Sequence, residues 1–236
     1  MVMNKKSINI LSNEQLTGHD DSHIFWLDES TGIHQQALSA WKAISEEAQM
    51  AGFELKIASG YRGFTRQLAI WNRKFLGQLA IKNQHSETLD VDKMTEQEIV
   101  KAILYFSALP GASRHHWGCD IDIYATNLLP DRQKLQLEPW EFAKNGPFYS
   151  LSKWLTKNAS RFDFYFPYDQ CRGGVAIEPW HLSYWPIAQH GERLLTIDCL
   201  QGVISSAGIL GKNEIIQNLP NIYQDYIKNV GSIHYG

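Results

Sequence analysis

Between His34 and Met50, apolar side chains at Ala37, Leu38, Trp41, Ile44 and Ala48 recur every three or four residues, and Gly52 follows. That period lines one face of a helix and predicts an amphipathic helix stopped by the glycine. Phe53 to Ala58 alternates as a short strand does and ends at Ser59-Gly60. Leu68, Trp71 and Phe75 place a second amphipathic helix over Phe64–Leu76. Residues 77–94 are polar and aperiodic, which predicts an excursion or flexible loop. Thr95 followed by Glu98 forms a capping box that opens a third helix, TEQEIVKAILYFSAL, ended by Pro110-Gly111. Cys119 to Tyr124 fits a strand, and a loop around Leu128–Pro139 leads to a helix near Phe148–Asn158. The stretches FDFYF and GVAIEPWHLSYW predict two strands of a hairpin joined around Arg172-Gly173-Gly174. Beyond Pro186, helices are expected over Leu194–Ser205 and roughly Asn213–Val230, whereas residues 1–33 show no period and read as irregular. Helices and strands mix without regular βαβ alternation, repeats or a linker, so the expectation is one α+β domain.

Composition narrows the function classes. A chain of 236 residues with 44% hydrophobic content buries a sizeable core, and most of its eight Trp, ten Tyr and ten Phe are expected there. The net charge of −3, with no run of basic residues, argues against nucleic acid and anionic membranes as partners. Cys119, Cys171 and Cys199 are sparse and lack CxxC spacing, which fits a reducing compartment rather than a disulfide scaffold. The apolar run Ile8–Leu11 is too short for a secretory signal, and no stretch approaches a membrane span. A cytoplasmic monomer is therefore the expectation from bulk properties.

The chemistry concentrates in two places. SRHHWGCDIDIY, from Ser113 to Tyr124, joins histidines to alternating aspartates through Gly118, which permits a tight turn. On a strand, Asp120 and Asp122 share one face while Ile121 and Ile123 share the other. A lone histidine on a strand is usually a structural residue, but carboxylates beside a core need a counter-charge, and a divalent cation supplies one. Neutral imidazole and carboxylate are zinc ligands, and a catalytic zinc takes three protein ligands and keeps one position open. His115 and Asp122, with His181 from EPWH downstream, make that set, and Glu178, three residues before His181, suits a general base. Neither stretch is the helical HExxH of other zinc peptidases.

These stretches, together with ASGYRGFTRQ at residues 58–67, resemble the signatures of the zinc D-alanyl-D-alanine carboxypeptidases of the vancomycin-resistance type, peptidase family M15, which includes L,D-carboxypeptidases. The resemblance covers roughly residues 35–187. It implies a hedgehog/D,D-peptidase-like fold, in which a small antiparallel sheet carrying the zinc site is flanked by helices. Residues 1–190 would be the carboxypeptidase domain and 191–236 a helical extension packed on it. The resemblance further implies one zinc ion on His115, Asp122 and His181, with Glu178 as catalytic base. Arg62 would meet the oxyanion or the substrate's terminal carboxylate, and Ser113 and Gln67 would contact substrate. The implied substrate is a small peptidoglycan-derived peptide ending in a D-amino acid, and wall-acting relatives are often exported, so a periplasmic or wall location is the alternative.

Two departures stand out. Asp120 stands where relatives carry a small residue, either to orient a histidine or to compete with Asp122. Ser183 stands where many carry an arginine, leaving carboxylate recognition to Arg62 or another residue such as Arg172. His116 is expected to sit behind the ligands or on the surface rather than as a fourth ligand. A zinc-stabilised binding module without hydrolysis is the competing reading, and the presence of Glu178 argues against it.

Overall fold

The computed structural model describes residues 11–233, so the short apolar run read for export lies almost wholly outside the described residues. In chain order the elements are α1 (Asn13–Thr17), β1 (Ile24–Trp26), β2 (Gly32–His34), α2 (Leu38–Met50), β3 (Leu55–Ser59), α3 (Phe64–Phe75) and α4 (Glu96–Phe106). They continue with β4 (Asp120–Ala125), α5 (Pro139–Phe142), α6 (Tyr149–Asn158), β5 (Phe164–Tyr165), β6 (His181–Tyr184), α7 (Trp185–Leu194), α8 (Ile197–Ser206), α9 (Lys212–Gln217) and α10 (Leu219–Ile222). A four-stranded antiparallel sheet in the order β3-β4-β6-β5 is flanked by helices, and β1-β2 form a separate hairpin. The α+β expectation holds.

The sheet works because β4 alternates. Ile121 and Ile123 enter a core with Trp41 and Ile44 of α2, Leu151 and Leu155 of α6, and Leu182 of β6. Asp120 and Asp122 consequently project from the opposite face. Register then sets the site: Asp122 pairs with His181 on one side and Ser59 on the other, and Asp120 pairs with Ser183. A second core joins Trp71 of α3 and Ile103 of α4 to Ile187, Leu200, Ile204 and Ile215 of the C-terminal helices.

Several expectations are corrected. Residues 11–33 are not irregular, because α1 and the β1-β2 hairpin lie there, each too short to show a period. Of the two readings of residues 77–94 the excursion holds, pinned with Ile81 buried, Lys82 bridging to Thr88, and both Lys82 and Ser86 bonded to Glu138. The capping box of α4 is present, but the helix stops at Phe106, and Ser107 turns extended ahead of Pro110. The hairpin shrinks to the pairing of β5 with β6, because Pro179 has no N–H to offer a ladder. Pro186 sits in the first turn of α7, where a missing N–H costs nothing.

Candidate active site

Gly118 makes the turn into β4 at φ +68°, and a Cβ there would come within 2.3 Å of Ile24 and 2.9 Å of the His34 nitrogen. The 3-10 turn Arg114–Trp117 ahead of it swings His115 over β4. His115 Nδ1 lies 2.9 Å from the Gly60 carbonyl, which only accepts, so Nδ1 carries the proton and Nε2 keeps its lone pair. His181 Nε2 likewise donates to the Asp120 carboxylate at 3.0 Å, so Nδ1 is the ring nitrogen turned toward Asp122. His115 Nε2 is 3.4 Å from Asp122 Oδ2, and His181 Nδ1 is 3.0 Å from Asp122 Oδ1. Tetrahedral zinc with bonds of about 2.0 Å spaces its ligand atoms by about 3.3 Å, so this donor set fits the ion. All three residues are buried and their donor atoms lie within 4.8 Å of one another. Asp122 Oδ1, despite its nearness to His181, has no hydrogen-bond partner of acceptable geometry among the described residues. A buried carboxylate oxygen left in that state is costly unless a cation takes it.

Asp120 is occupied elsewhere. It accepts from Arg114 Nε at 2.7 Å, from Ser183 Oγ at 3.0 Å and from Cys119 Sγ at 3.1 Å, besides His181. Burial alone would raise its pKa, but Arg114 and His181 hold it well below the usual carboxylate range. It orients His181 and does not compete with Asp122. Ser183, in the place where relatives carry arginine, donates its hydroxyl to Asp120 and accepts from Arg114 at 2.8 Å. Arg114 also reaches Glu192 and Tyr165, each at 2.7 Å.

Glu178 precedes β6 in a turn held by its own carbonyl accepting from the His181 N–H at 3.1 Å. Its Oε2 lies 3.4 Å from His181 Nδ1. Burial pushes its carboxyl up to about 8. Burial also lowers His115 to about 4, keeping it neutral. For His181 burial works the same way but is outweighed by the carboxylates of Asp120, which accepts its Nε2–H, and of nearby Asp122, which together lift it to about 10.

A cleft of about 360 Å³ opens over this cluster and brings together Arg62, Ser113, His115, Asp122, Glu178 and His181. Ser113 Oγ is buried there without a hydrogen-bond partner among the described residues. Gln67 is fully buried and outside the cleft lining: its amide oxygen accepts from Arg62 at 2.9 Å and its amide nitrogen donates to the Ala108 carbonyl at 2.7 Å. His116, fully buried, bonds the Arg62 carbonyl through Nδ1 at 2.5 Å and accepts from the Gly111 N–H at 3.2 Å, so it braces the Arg62 turn. Arg172 pairs with Asp169 at 2.5 Å and does not line the cleft. Lys74, Tyr168, Tyr226 and Ile227 also line the cleft and were not anticipated. The one available signal was that Lys74 follows Gln67 and Trp71 at helical spacing.

The comparisons with known proteins agree with this geometry. Residues 30–187 match the family described as VanY, D-alanyl-D-alanine carboxypeptidase. An uncharacterised protein of Haemophilus influenzae is 40% identical over 121 residues, covering 50% of this chain and 92% of that protein. VanYB, solved in complex with D-alanine-D-alanine, matches at a TM-score of 0.52 and 21% identity, over 79% of this chain and 90% of that one. A mutant of the vancomycin-resistance D,D-pentapeptidase VanY, solved in complex with Zn(II), matches at a TM-score of 0.51 and 21% identity, over 83% of this chain and 90% of that one. At such identities the two structures speak to the fold. The family match spans more than half of the chain, on that fold and across all three residues of the His–Asp–His cluster: the chain belongs to the VanY D-alanyl-D-alanine carboxypeptidase family.

Proposed function

We propose that this protein is a zinc-dependent carboxypeptidase that removes the C-terminal D-amino acid, D-alanine, from peptidoglycan-derived peptides. The observation that carries the reading is the convergence of His115, Asp122 and His181 on one point, with a buried Asp122 oxygen lacking a hydrogen-bond partner and Glu178 alongside. The Zn(II) and D-alanine-D-alanine held by the two solved relatives support the choice of metal and ligand class.

His115 would hold the ion through Nε2, His181 through Nδ1, and Asp122 through its carboxylate. Bound there, zinc supplies Lewis acidity toward water and the scissile carbonyl. Glu178 takes a proton from the attacking water as the new C–O bond forms, and returns it to the leaving amine as the C–N bond breaks. A carboxyl lifted by burial toward neutrality suits both transfers. Arg62 stabilises the negative charge that develops on the carbonyl oxygen, and Gln67 and Ser59 hold its guanidinium in place. The partnerless Ser113 hydroxyl donates to the substrate. Asp120, fixed by Arg114, sets the tautomer of His181.

Mass spectrometry of peptidoglycan stem tetra- and pentapeptides after incubation with zinc-loaded protein tests the reading. The expected product is the peptide shortened by its terminal alanine, and the two substrates separate L,D- from D,D-cleavage. Intact peptides in both cases would favour the non-hydrolytic zinc-stabilised module.

A further inference from the structure

Four lysine or arginine side chains line the cleft: Arg62, Lys74, Lys82 and Arg114. Two of them are neutralised inside the protein, Lys82 by Glu138 and Arg114 by Asp120 and Glu192. Among the described residues, neither Arg62 nor Lys74 has a carboxylate within ion-pairing distance. The Lys74 ammonium donates to Ser107 Oγ at 2.5 Å, and no other hydrogen bond engages it among the described residues. An ammonium carries three donors, so two remain for the cleft. A partly desolvated cation without a partner is unfavourable, and an incoming anion relieves that cost.

The positions of the two free cations differ. Arg62 adjoins the cluster: its backbone N–H donates to the His115 carbonyl at 3.1 Å, and it acts electrostatically on both His115 and Asp122. Lys74, near the end of α3, has Arg62 and Glu178 as its charged neighbours and no residue of the cluster among them. Hydrogen bonds give the order along the cleft: Arg62, beside the cluster, donates to Gln67, Gln67 donates to the Ala108 carbonyl, and Lys74 donates to Ser107 next to it. In a peptide substrate, three covalent bonds separate the carbonyl carbon under attack from the carbon of the terminal carboxylate. An oxyanion at Arg62 therefore leaves that carboxylate one step farther along, where the second unpaired cation stands.

We propose that Lys74 binds the terminal carboxylate of the substrate and is the residue that restricts this cleft to free C-termini. The role left open by Ser183, whose hydroxyl is committed to Asp120 and Arg114, passes to a lysine on a different element. The assignment rests on the carboxypeptidase reading above. The competing role for Lys74 is to tune Glu178, and that would affect every substrate alike.

The test compares a peptide ending in D-alanyl-D-alanine with its C-terminal carboxamide, on wild type, Lys74→Met and Lys74→Arg. A charge-assisted hydrogen bond predicts that wild type prefers the acid in kcat/KM by about 10- to 100-fold. Lys74→Met should lower that ratio by about tenfold or more, with amide cleavage little changed, and Lys74→Arg should restore most of it. Equal losses on acid and amide in Lys74→Met, or an unchanged ratio, would overturn the assignment. Calorimetric binding of D-alanyl-D-alanine and its amide to the zinc-loaded Glu178→Gln protein, with and without Lys74→Met, provides a second readout. If wild type hydrolyses neither peptide, the carboxypeptidase reading fails, and the acid-over-amide binding ratio decides the role of Lys74 alone.

Discussion

Asp120 and Asp122 have the same chemistry, stand two positions apart on one strand face, and do different things. The difference comes from what faces them: Asp120 meets Arg114, Ser183 and His181 Nε2, whereas Asp122 keeps an oxygen with no hydrogen-bond partner among the described residues, beside His115 Nε2 and His181 Nδ1. Asp122→Ala should abolish stoichiometric zinc uptake, while Asp120→Asn should weaken it by about 10- to 100-fold, as loss of an orienting partner does. Elemental analysis and competition with a chelator distinguish the two, and the reverse ranking would reassign the ligand. His181 supplies a pH test. Its imidazole is lifted to about 10 in the metal-free protein by its two carboxylate neighbours, so below that pH zinc has to displace a proton. Zinc affinity should therefore rise with pH, by about tenfold per unit through the neutral range, and calorimetry in buffers of different ionisation enthalpy should show at least one proton released. The ligand set was legible because the H-x6-D spacing and strand alternation are local. The work of Arg114 was not, since Asp120, Glu192 and Tyr165 come from three separate parts of the chain.

At the level of elements, the site depends on β4 lying between β3 and β6 in one register. Slipping β4 by one residue would turn Asp122 into the core and Ile123 toward the cleft. Ile123, fully buried on the reverse face, anchors that register. Ile123→Ala should lower stability by about 2–5 kcal/mol, read from the denaturant midpoint at unchanged slope, while the folded variant still takes up zinc. The α4 start is a second test: Thr95→Ala removes the cap on Glu98 and should cost about 0.5–2 kcal/mol. Long periodic elements, α2, α3 and α4, were readable with small errors at their ends. The β1-β2 hairpin was not, because strands of three residues have too few alternations to register. Glu178 was expected on a strand and lies in a turn instead, since Pro179 keeps the ladder from starting before His181.

At the scale of the molecule, one face of the sheet is devoted to packing and the other to chemistry, with the C-terminal helices closing the second core against α3 and α4. The segment after α10 contributes Tyr226 and Ile227 to the cleft wall, so the tail shapes what the site admits. Tyr226→Ala should change KM and the preferred peptide length while zinc content stays at one per chain, which steady-state kinetics on tetra- and pentapeptides would show. Glu178 is proposed to move protons beside a metal it does not hold. The most direct measurement is hydrolysis of a peptide ending in D-alanyl-D-alanine by Glu178→Gln and wild type at matched, verified zinc content. Full zinc occupancy is expected in both, with a turnover about 10²–10⁴-fold lower in the variant. Equal turnover at equal zinc would contradict it.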